Sequence, residues 1–243
     1  MSGIPGTYKP KPELSLAERE GTIGVMSGEL LRFAQFGVAM SWLQKPIHAR
    51  MVWKFGNDLV GNCNAICREM VGEWVWIMGD DHVFAPDILM KLLAHDVDIV
   101  VPICMKRTPP YTPVVFRERA EPDEYGNPMY AFGHGDMPDS GLHEVAVAGS
   151  AGMLIKRWVL DAIGDPWFVN SAITGVNEDF AFCDRAAEAG ARIWCDYDLP
   201  LGHSATHTVW PIHANGRWHG GLELSADLMV PLRTIYDDEE VPA

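Results

Sequence analysis

Two aspartates and a histidine follow a run of apolar residues and could bind a divalent cation. The run, residues 74–78, is followed by one glycine and then by Asp80, Asp81 and His82. Carboxylate oxygens are hard ligands that suit Mg²⁺ or Mn²⁺, which complete their coordination with water and substrate phosphates. The same residues are also ordinary turn residues after a strand, so the motif alone leaves both interpretations open.

A pair of acidic residues, Glu178 and Asp179, opens a segment with helical periodicity and could supply a general base. Phe180, Cys183 and Ala187 recur there at the spacing of one buried helix face. The helix macrodipole favours acids in the first turn, and we expect it to keep Asp179 ionised at neutral pH. An ionised carboxylate can accept a proton from a hydroxyl group, although helix stability alone would select the same residues.

The histidines of the second half offer one further candidate ligand. His203 follows a predicted strand, and a neutral imidazole binds metals well. We predict structural roles for His207, His213 and His219. A zinc-protease pair of His203 and His207 would need a glutamate directly after His203 on a helix, and Ser204 occupies that position.

Four small residues, Gly149, Ser150, Ala151 and Gly152, lie between two strand-like segments. Small residues in a sheet allow a ligand or another backbone to approach closely. Packing alone would explain them equally well.

The elements that would position these residues alternate between strand and helix in the first half. Strands are predicted at 22–26, 74–78 and 98–103, and helices at about 29–43, at 59–70 and after Pro86. This alternation is typical of βαβ units with a parallel sheet. Ligands of such sheets bind beyond the carboxyl ends of the strands, which is where residues 80–82 fall.

The second half has a different pattern. Pro109, Pro110 and Pro113 and a stretch rich in Gly, Pro and Asp at 121–141 predict hairpins and long loops. Strand character resumes at 145–155, and a helix at 178–189 precedes a strand at 192–195. We see no internal repeat.

Composition narrows the classes of partner. The 243 residues carry a formal net charge of −14 without a visible basic stripe, so nucleic acid is not an expected partner. No apolar run approaches the roughly 20 residues that a membrane span needs, and residues 1–20 lack a secretion signal, so we expect a cytoplasmic protein. Five cysteines, an odd number, favour reduced thiols.

Three segments, taken in order, resemble the family-two-like glycosyltransferases of GT-A fold. They are WVWIMGDDHVFAPDILMKLLAHDVDIVV, VAGSAGMLIKRWVLDAI and NEDFAFCDRAAEAGARIWCDYDLPLGH. Each motif is short, and their order and spacing over roughly residues 22–210 carry the resemblance. It implies an α/β fold, with a Rossmann-like, mostly parallel sheet flanked by helices and an acceptor half rich in loops and hairpins.

The resemblance also implies a site. Asp80-Asp81-His82 corresponds to a DXD-type motif that holds Mn²⁺ or Mg²⁺ on the diphosphate of a nucleotide sugar, with His203 completing the metal ligands. Asp81, His82 and His203 are thereby the implied ligands and Asp80 a donor contact. Many relatives have aspartate where this chain has Gly79, which leaves the leading metal ligand open between Asp80 and Asp81.

The remaining implied residues surround the two substrates. Glu178 and Asp179 resemble the catalytic-base motif, with Asp179 as the base that activates a hydroxyl acceptor. Gly149 to Gly152 resemble the lining of the sugar and acceptor pocket, and Ser27 and Glu29 occupy the loop that meets the nucleotide. The implied domain covers 21–235, with a nucleotide-binding half (21–106), an acceptor half (107–235) and tails at 1–20 and 236–243.

Two other functions remain open at this point. A sugar-nucleotide pyrophosphorylase would open with a glycine-rich, basic phosphate loop, whereas the first strand here leads into Ser27-Gly28-Glu29-Leu30. A catalytically silent module that binds a sugar or a partner would keep the fold and tolerate Gly79. The donor sugar, the nucleotide base and the acceptor are not readable from the residues.

Overall fold

The apolar runs of the first half form the interior strands of a large sheet. The structure is a computed structural model, which describes residues 15–27, 34–56, 58–107, 111–121, 129–131, 137–170, 176–204, 208–214, 216–225 and 228–232. The strands are β1 (Thr22–Ser27), β2 (Arg50–Phe55), β3 (Trp74–Gly79), β4 (His82–Val83), β5 (Ile99–Cys104), β6 (Val115–Phe116), β7 (Glu118–Ala120), β8 (Met129–Ala131), β9 (Leu142–Val145), β10 (Val147–Ala148), β11 (Met153–Lys156), β12 (Ile193–Ser204), β13 (Thr208–Ala214), β14 (Arg217–Ser225) and β15 (Leu228–Pro231). The helices are α1 (Ala34–Trp42), α2 (Leu59–Arg68), α3 (Ile88–Ala94), α4 (Arg157–Ile163) and α5 (Glu178–Glu188), with a 3-10 turn at Leu16–Glu18.

The sequence predicts most elements of the first half within a few residues. The predicted strands at 22–26, 74–78 and 98–103 are β1, β3 and β5, and the helix predicted at 59–70 is α2. Among the elements that were not predicted are β2, whose side chains are mostly exposed or half-buried, and α4. The strand predicted at 192–195 is the beginning of the longer β12.

The sheet combines parallel and antiparallel pairing. Its order is β15-β14-β13-β12-β5-β11-β3-β1-β2. β1 pairs in parallel with β2 and β3, and β5 pairs in parallel with β12. β11 lies between β3 and β5, antiparallel to both, so the predicted crossover joins strands that are not neighbours. The expectation of a mostly parallel sheet is therefore wrong in detail, while the α/β class is confirmed.

Alternate residues of β3 build the core on both faces of the sheet. Val75 and Ile77 pack into one apolar cluster, together with Phe182 of α5. Trp74 and Trp76 pack into the other, with Leu89 of α3. A strand that is covered on both faces reads as a continuous apolar run, which explains why β3 was predictable.

Residues 15–20, which the sequence assigned to a tail, lie against the rest of the molecule. Ile47 N donates to Ala17 O at 3.1 Å, and Arg19 forms an ion pair with Asp96 at 3.0 Å. The predicted N-terminal tail therefore does not reach residue 20. Residues 1–14 and the acidic segment at 236–243 lie outside the described residues.

No helix within the described ranges has both the length and the apolar character needed to cross a lipid bilayer.

Candidate metal and acid–base site

The candidate residues lie at one edge of the sheet, beyond the carboxyl ends of its parallel strands. Asp80 and Asp81 follow the end of β3 directly. Met153, the first residue of β11, lies opposite Ile77, so the turn that precedes β11 reaches the same edge. His203, near the end of β12, pairs with His82 of β4. The topology thus gathers residues that are far apart in sequence.

Ser27 and Asp80 join the ends of β1 and β3. Ser27 Oγ donates to Asp80 Oδ2 at 2.5 Å, and Asp80 N donates to Met26 O at 3.1 Å. Asp80 is thereby directed toward β1 and away from the histidines. Glu29, the other predicted nucleotide contact, lies outside the described residues.

Asp81, His82 and His203 form a second group. Asp81 Oδ1 lies 2.9 Å from His82 Nδ1, and Asp81 Oδ2 lies 3.3 Å from His203 Nε2. The two imidazole rings stack with centroids 4.7 Å apart. Ser204 N also donates to the backbone oxygen of Asp81 at 2.7 Å, which fixes β12 against this loop. The structure therefore brings together all three predicted metal ligands.

The electrostatics of this group favour a bound positive charge. Burial alone would raise the pKa of Asp81, but hydrogen bonds from His203 and His82 outweigh it and hold that pKa well below its ordinary value. Burial would lower the pKa of His203, but hydrogen bonds with Asp81 and Cys104 raise it overall. Asp81 is thus an ionised carboxylate, and its positive neighbour in this structure is Arg107 at 2.6 Å.

The residues fit a divalent cation. His82 Nδ1 lies 3.2 Å from Gly79 O, which can only accept, so the proton of a neutral His82 belongs on Nδ1. His82 Nε2 is then a lone-pair nitrogen, and it is buried with no hydrogen-bond partner in the part of the chain that the structure describes. A buried nitrogen of this kind is costly unless a ligand satisfies it.

Two residues of this site were not predicted. Arg107 Nη1 donates to Asp81 Oδ2 at 2.6 Å, and the ligand atom of Cys104 lies within 4.8 Å of those of His82 and His203. Cys104 is the last residue of β5, and Arg107 lies three residues after it. Their position at the end of a buried strand was the signal that could have identified them. The cysteine could not be distinguished from an ordinary core thiol.

Asp179, at the start of α5, lies against the turn before β11. Phe180 N donates to Asp179 Oδ1 at 2.9 Å, and the backbone of Ser150 also bonds this carboxylate. A Cβ on Gly149 would lie 3.4 Å from Asp179 Oδ2 and only 2.6 Å from a methyl carbon of Val114. The absence of a side chain at residue 149 therefore keeps room beside the carboxylate.

The expectation that the macrodipole keeps Asp179 fully ionised at neutral pH is wrong. Burial, and next the negative charge of Glu178, raise the pKa of Asp179 to about 7, against the opposing backbone hydrogen bonds. Burial disfavours the charged form more strongly than the helix start favours it. The carboxyl group therefore exchanges its proton near neutral pH.

Gly152 has a packing explanation. Its φ of +68° is in the left-handed region, and a Cβ there would lie 2.9 Å from Pro102. Its carbonyl accepts a hydrogen bond from Trp76 Nε1 at 2.9 Å. Gly152 therefore lies against Pro102, whereas Gly149 lies against Val114 and the Asp179 carboxylate.

His213 and His219 are outside this group. His213 pairs with Asp139 at 3.0 Å and packs near Trp218, as a structural histidine would. His219 lies in β14, opposite Ile212. His207 lies outside the described residues.

Comparisons with known proteins identify the fold and leave the activity open. No model of a protein family matches the chain, and no curated protein matches it. Solved structures do match, among them the crystal structure of A197 from STIV, with a TM-score of 0.52 and 15% identity. That match covers 76% of this chain and 85% of the other. It shows a shared α/β fold alone.

Proposed function

We propose that the protein is a metal-dependent glycosyltransferase of GT-A fold, which moves a sugar from a nucleotide diphosphate sugar to a hydroxyl acceptor. The observation that carries the proposal is the contact between Asp81, directly after β3, and His203, 122 residues later in the chain. It joins the DXD-like motif to the late histidine at the ligand-binding edge of the sheet. An ordinary polar turn would not need this distant partner.

The donor half of the site is built by Asp81, His82 and His203, which would hold the cation. A bound cation supplies a Lewis acid for the negative charge that grows on the departing diphosphate. Ser27, at the end of β1, donates a hydrogen bond to Asp80. In this proposal the end of β1 would therefore lie next to the nucleotide, and the diphosphate would lie at the ends of the two neighbouring strands β1 and β3.

The acceptor half is built by Asp179 and the turn at Gly149. The acceptor hydroxyl gives its proton to the Asp179 carboxylate while its oxygen bonds the anomeric carbon. The bond from that carbon to the diphosphate breaks, and its electron pair leaves with the diphosphate. A base with a pKa of about 7 is well matched to this task at neutral pH. Attack from the face opposite the leaving group would invert the anomeric centre.

A catalytically silent module that binds a sugar or a partner is the second candidate. Arg107 favours it, because its guanidinium already occupies Asp81 Oδ2 at 2.6 Å and so neutralises the carboxylate without a metal. Arg107 is substantially exposed and can leave that position when a cation binds. Measured turnover separates the two candidates.

The experiment that tests the donor site is a thermal-shift panel of UDP-, GDP- and TDP-sugars with and without Mn²⁺. A ligand that binds the native state raises the melting temperature. We expect a metal-dependent rise with at least one nucleotide sugar, lost in Asp81→Ala and kept in Asp87→Ala, a control whose aspartate pairs with Lys91 on α3. The absence of a metal-dependent shift with every donor would refute the donor site.

The base is tested separately by product analysis. Asp179→Asn is expected to abolish sugar transfer while leaving the metal-dependent thermal shift in place. Loss of both together would mark Asp179 as structural.

A further inference from the structure

A buried cysteine completes the group around His203. Cys104 is the last residue of β5 and is 4% exposed. The ligand atoms of His82, Cys104 and His203 all lie within 4.8 Å of one another. Strands β4, β5 and β12 therefore each deliver one nitrogen or sulfur atom to the same point.

Both histidines are oriented as metal ligands are. His203 Nδ1 lies 3.0 Å from Met105 O, and His82 Nδ1 lies 3.2 Å from Gly79 O. Carbonyl oxygens only accept, so each neutral ring carries its proton on Nδ1 and has a free lone pair on Nε2. Hydrogen bonds of this kind to the distal ring nitrogen fix the tautomer of metal-binding histidines.

The spacing around His203 Nε2 also suits a metal. In the metal-free protein a proton on Nε2 joins His203 to Asp81 Oδ2 at 3.3 Å, and a cation that replaces this proton would find a lone pair on each side. Two ligand atoms at the tetrahedral zinc distance of about 2.0–2.1 Å are themselves about 3.3–3.4 Å apart. The existing separation already fits one edge of such a tetrahedron.

We propose that His82, Cys104 and His203, together with Asp81, form a site for a zinc-type transition-metal ion that discriminates against Mg²⁺. Thiolate and imidazole are the ligands that Zn²⁺ prefers, whereas Mg²⁺ requires oxygen ligands. On binding, the Cys104 thiol loses its proton to solvent and the sulfur bonds the ion. The inference names the metal of the proposed transferase site and rests on that proposal for its role in catalysis. It replaces the Mn²⁺ or Mg²⁺ that the family resemblance implies.

The test is a titration of the full-length protein with Co²⁺, a spectroscopic substitute for Zn²⁺, without any nucleotide. We expect about one equivalent to bind, with visible absorption typical of tetrahedral cobalt and a thiolate-to-cobalt charge-transfer band in the near ultraviolet. Zn²⁺ at about one equivalent should abolish both signals, because its affinity for such ligands exceeds that of Co²⁺. A roughly 1,000-fold excess of Mg²⁺ should leave both unchanged, since this ligand set suits it poorly.

Two variants assign the sulfur. Cys104→Ser is expected to lose the charge-transfer band and at least ~10-fold in Co²⁺ affinity, whereas Cys67→Ser, a control in α2, should keep both. X-ray absorption of the zinc-loaded wild-type protein should show a sulfur neighbour at about 2.3 Å and needs no variant to fold. A zinc site without sulfur, or a charge-transfer band that survives Cys104→Ser, would overturn the inference.

These readouts separate the inference from the proposed function. Sugar transfer supported by Mn²⁺ in a protein that shows no sulfur ligand would overturn the inference and leave the glycosyltransferase proposal standing. A sulfur-ligated zinc site in a protein that transfers no sugar would support the inference and overturn the glycosyltransferase proposal.

Discussion

At the scale of single residues, the charge of the two key aspartates is set by their surroundings in opposite directions. Hydrogen bonds from two histidines keep Asp81 ionised in spite of burial, while burial and Glu178 raise the pKa of Asp179 to about 7. In the proposed function, the same type of side chain would hold a cation at residue 81 and exchange a proton at residue 179. Two carboxyl groups with pKa values pushed apart are typical of a site that needs both tasks.

The raised pKa of Asp179 predicts a specific dependence of stability on pH. Because the native carboxyl group holds its proton up to a pKa of about 7, whereas the unfolded chain releases it near the ordinary aspartate pKa of 3.8, the native state binds more protons between these limits. The free energy of unfolding should therefore fall as pH rises from about 4 to 7. Asp179→Asn removes the free-energy cost of ionising this buried carboxyl group. We expect the substitution to stabilise the protein by on the order of 1–3 kcal/mol at pH 8 and by little at pH 4.

Denaturant unfolding of both proteins at the two pH values measures this difference. Glu178→Gln is a useful companion, because removing its charge should lower the pKa of Asp179 and reduce the stabilisation that Asp179→Asn adds. Equal effects of Asp179→Asn at pH 4 and pH 8 would show that the pKa of Asp179 is not raised in the native state.

Arg107 provides the second prediction at this scale. Its guanidinium lies 2.6 Å from Asp81 Oδ2, where it would compete with a metal ion for the same oxygen. Arg107→Met is expected to raise the affinity for a divalent cation by roughly 3–10-fold, a modest gain because the arginine is exposed and screened. Calorimetric titration measures it, with Arg19→Met, which breaks a distant pair with Asp96, as the control. A loss of affinity would mean that Arg107 orients the carboxylate instead.

At the scale of elements, the turn between β10 and β11 positions two different parts of the molecule. Its first glycine, Gly149, leaves space beside Asp179, and its last, Gly152, packs against Pro102. The sequence identified this turn as small residues between strands but could not separate the two roles. Which glycine faces the site depends on the partners that β11 finds in the sheet, and those partners are distant in sequence.

Substitution of Gly152 tests its packing role. Gly152→Ala places a Cβ at a φ of +68° and 2.9 Å from Pro102, and we expect a loss of about 2–4 kcal/mol in the free energy of unfolding. Gly216→Ala is the control, because Gly216 has a φ of +72° and no atom within 4 Å of the added Cβ. It should cost only about 1–2 kcal/mol, from backbone strain. Equal losses in denaturant unfolding would remove the steric part of the argument.

Contacts with distant partners also explain which parts of the site could not be predicted from the sequence. The apolar run of β3 is visible locally, so the acids after it could be placed at the carboxyl edge of a sheet. The contact of Asp81 with Arg107 and the approach of Cys104 to His203 depend on how β5 and β12 pair. No local pattern in the residues encodes that pairing.

At the scale of the whole molecule, one sheet runs from the exposed strand β2 to the antiparallel strands β13 to β15. β3 and β5 are buried almost throughout, whereas β2 is an edge strand with mostly exposed or half-buried residues. The sequence predicted the buried strands because they are apolar throughout. It did not predict β2, in which Lys54 and Arg50 interrupt the apolar positions.

Hydrogen exchange of the backbone amides should follow the difference in burial between the central strands and the edge strand β2. Backbone amides of β3, β5 and β11 are expected to exchange most slowly, since their opening requires loss of both apolar clusters, and those of β2 faster by at least about 10-fold. Mass spectrometry of exchanged peptides measures both regions in one experiment. Protection of β2 equal to that of β3 would indicate that its edge is covered in solution.

The insertion of β11 between β3 and β5 also governs the order of events during synthesis. Both neighbours of β5, β11 and β12, are made after it, so about fifty residues of further chain must leave the ribosome before the first of them can pair with β5. Until then β5 presents an apolar strand with both edges unsatisfied, which is a hazard for aggregation. Chains that stop before residue 153 should therefore be captured by chaperones or aggregate, and the edge that holds Asp81, His82 and His203 should be assembled late in folding, because it needs β12.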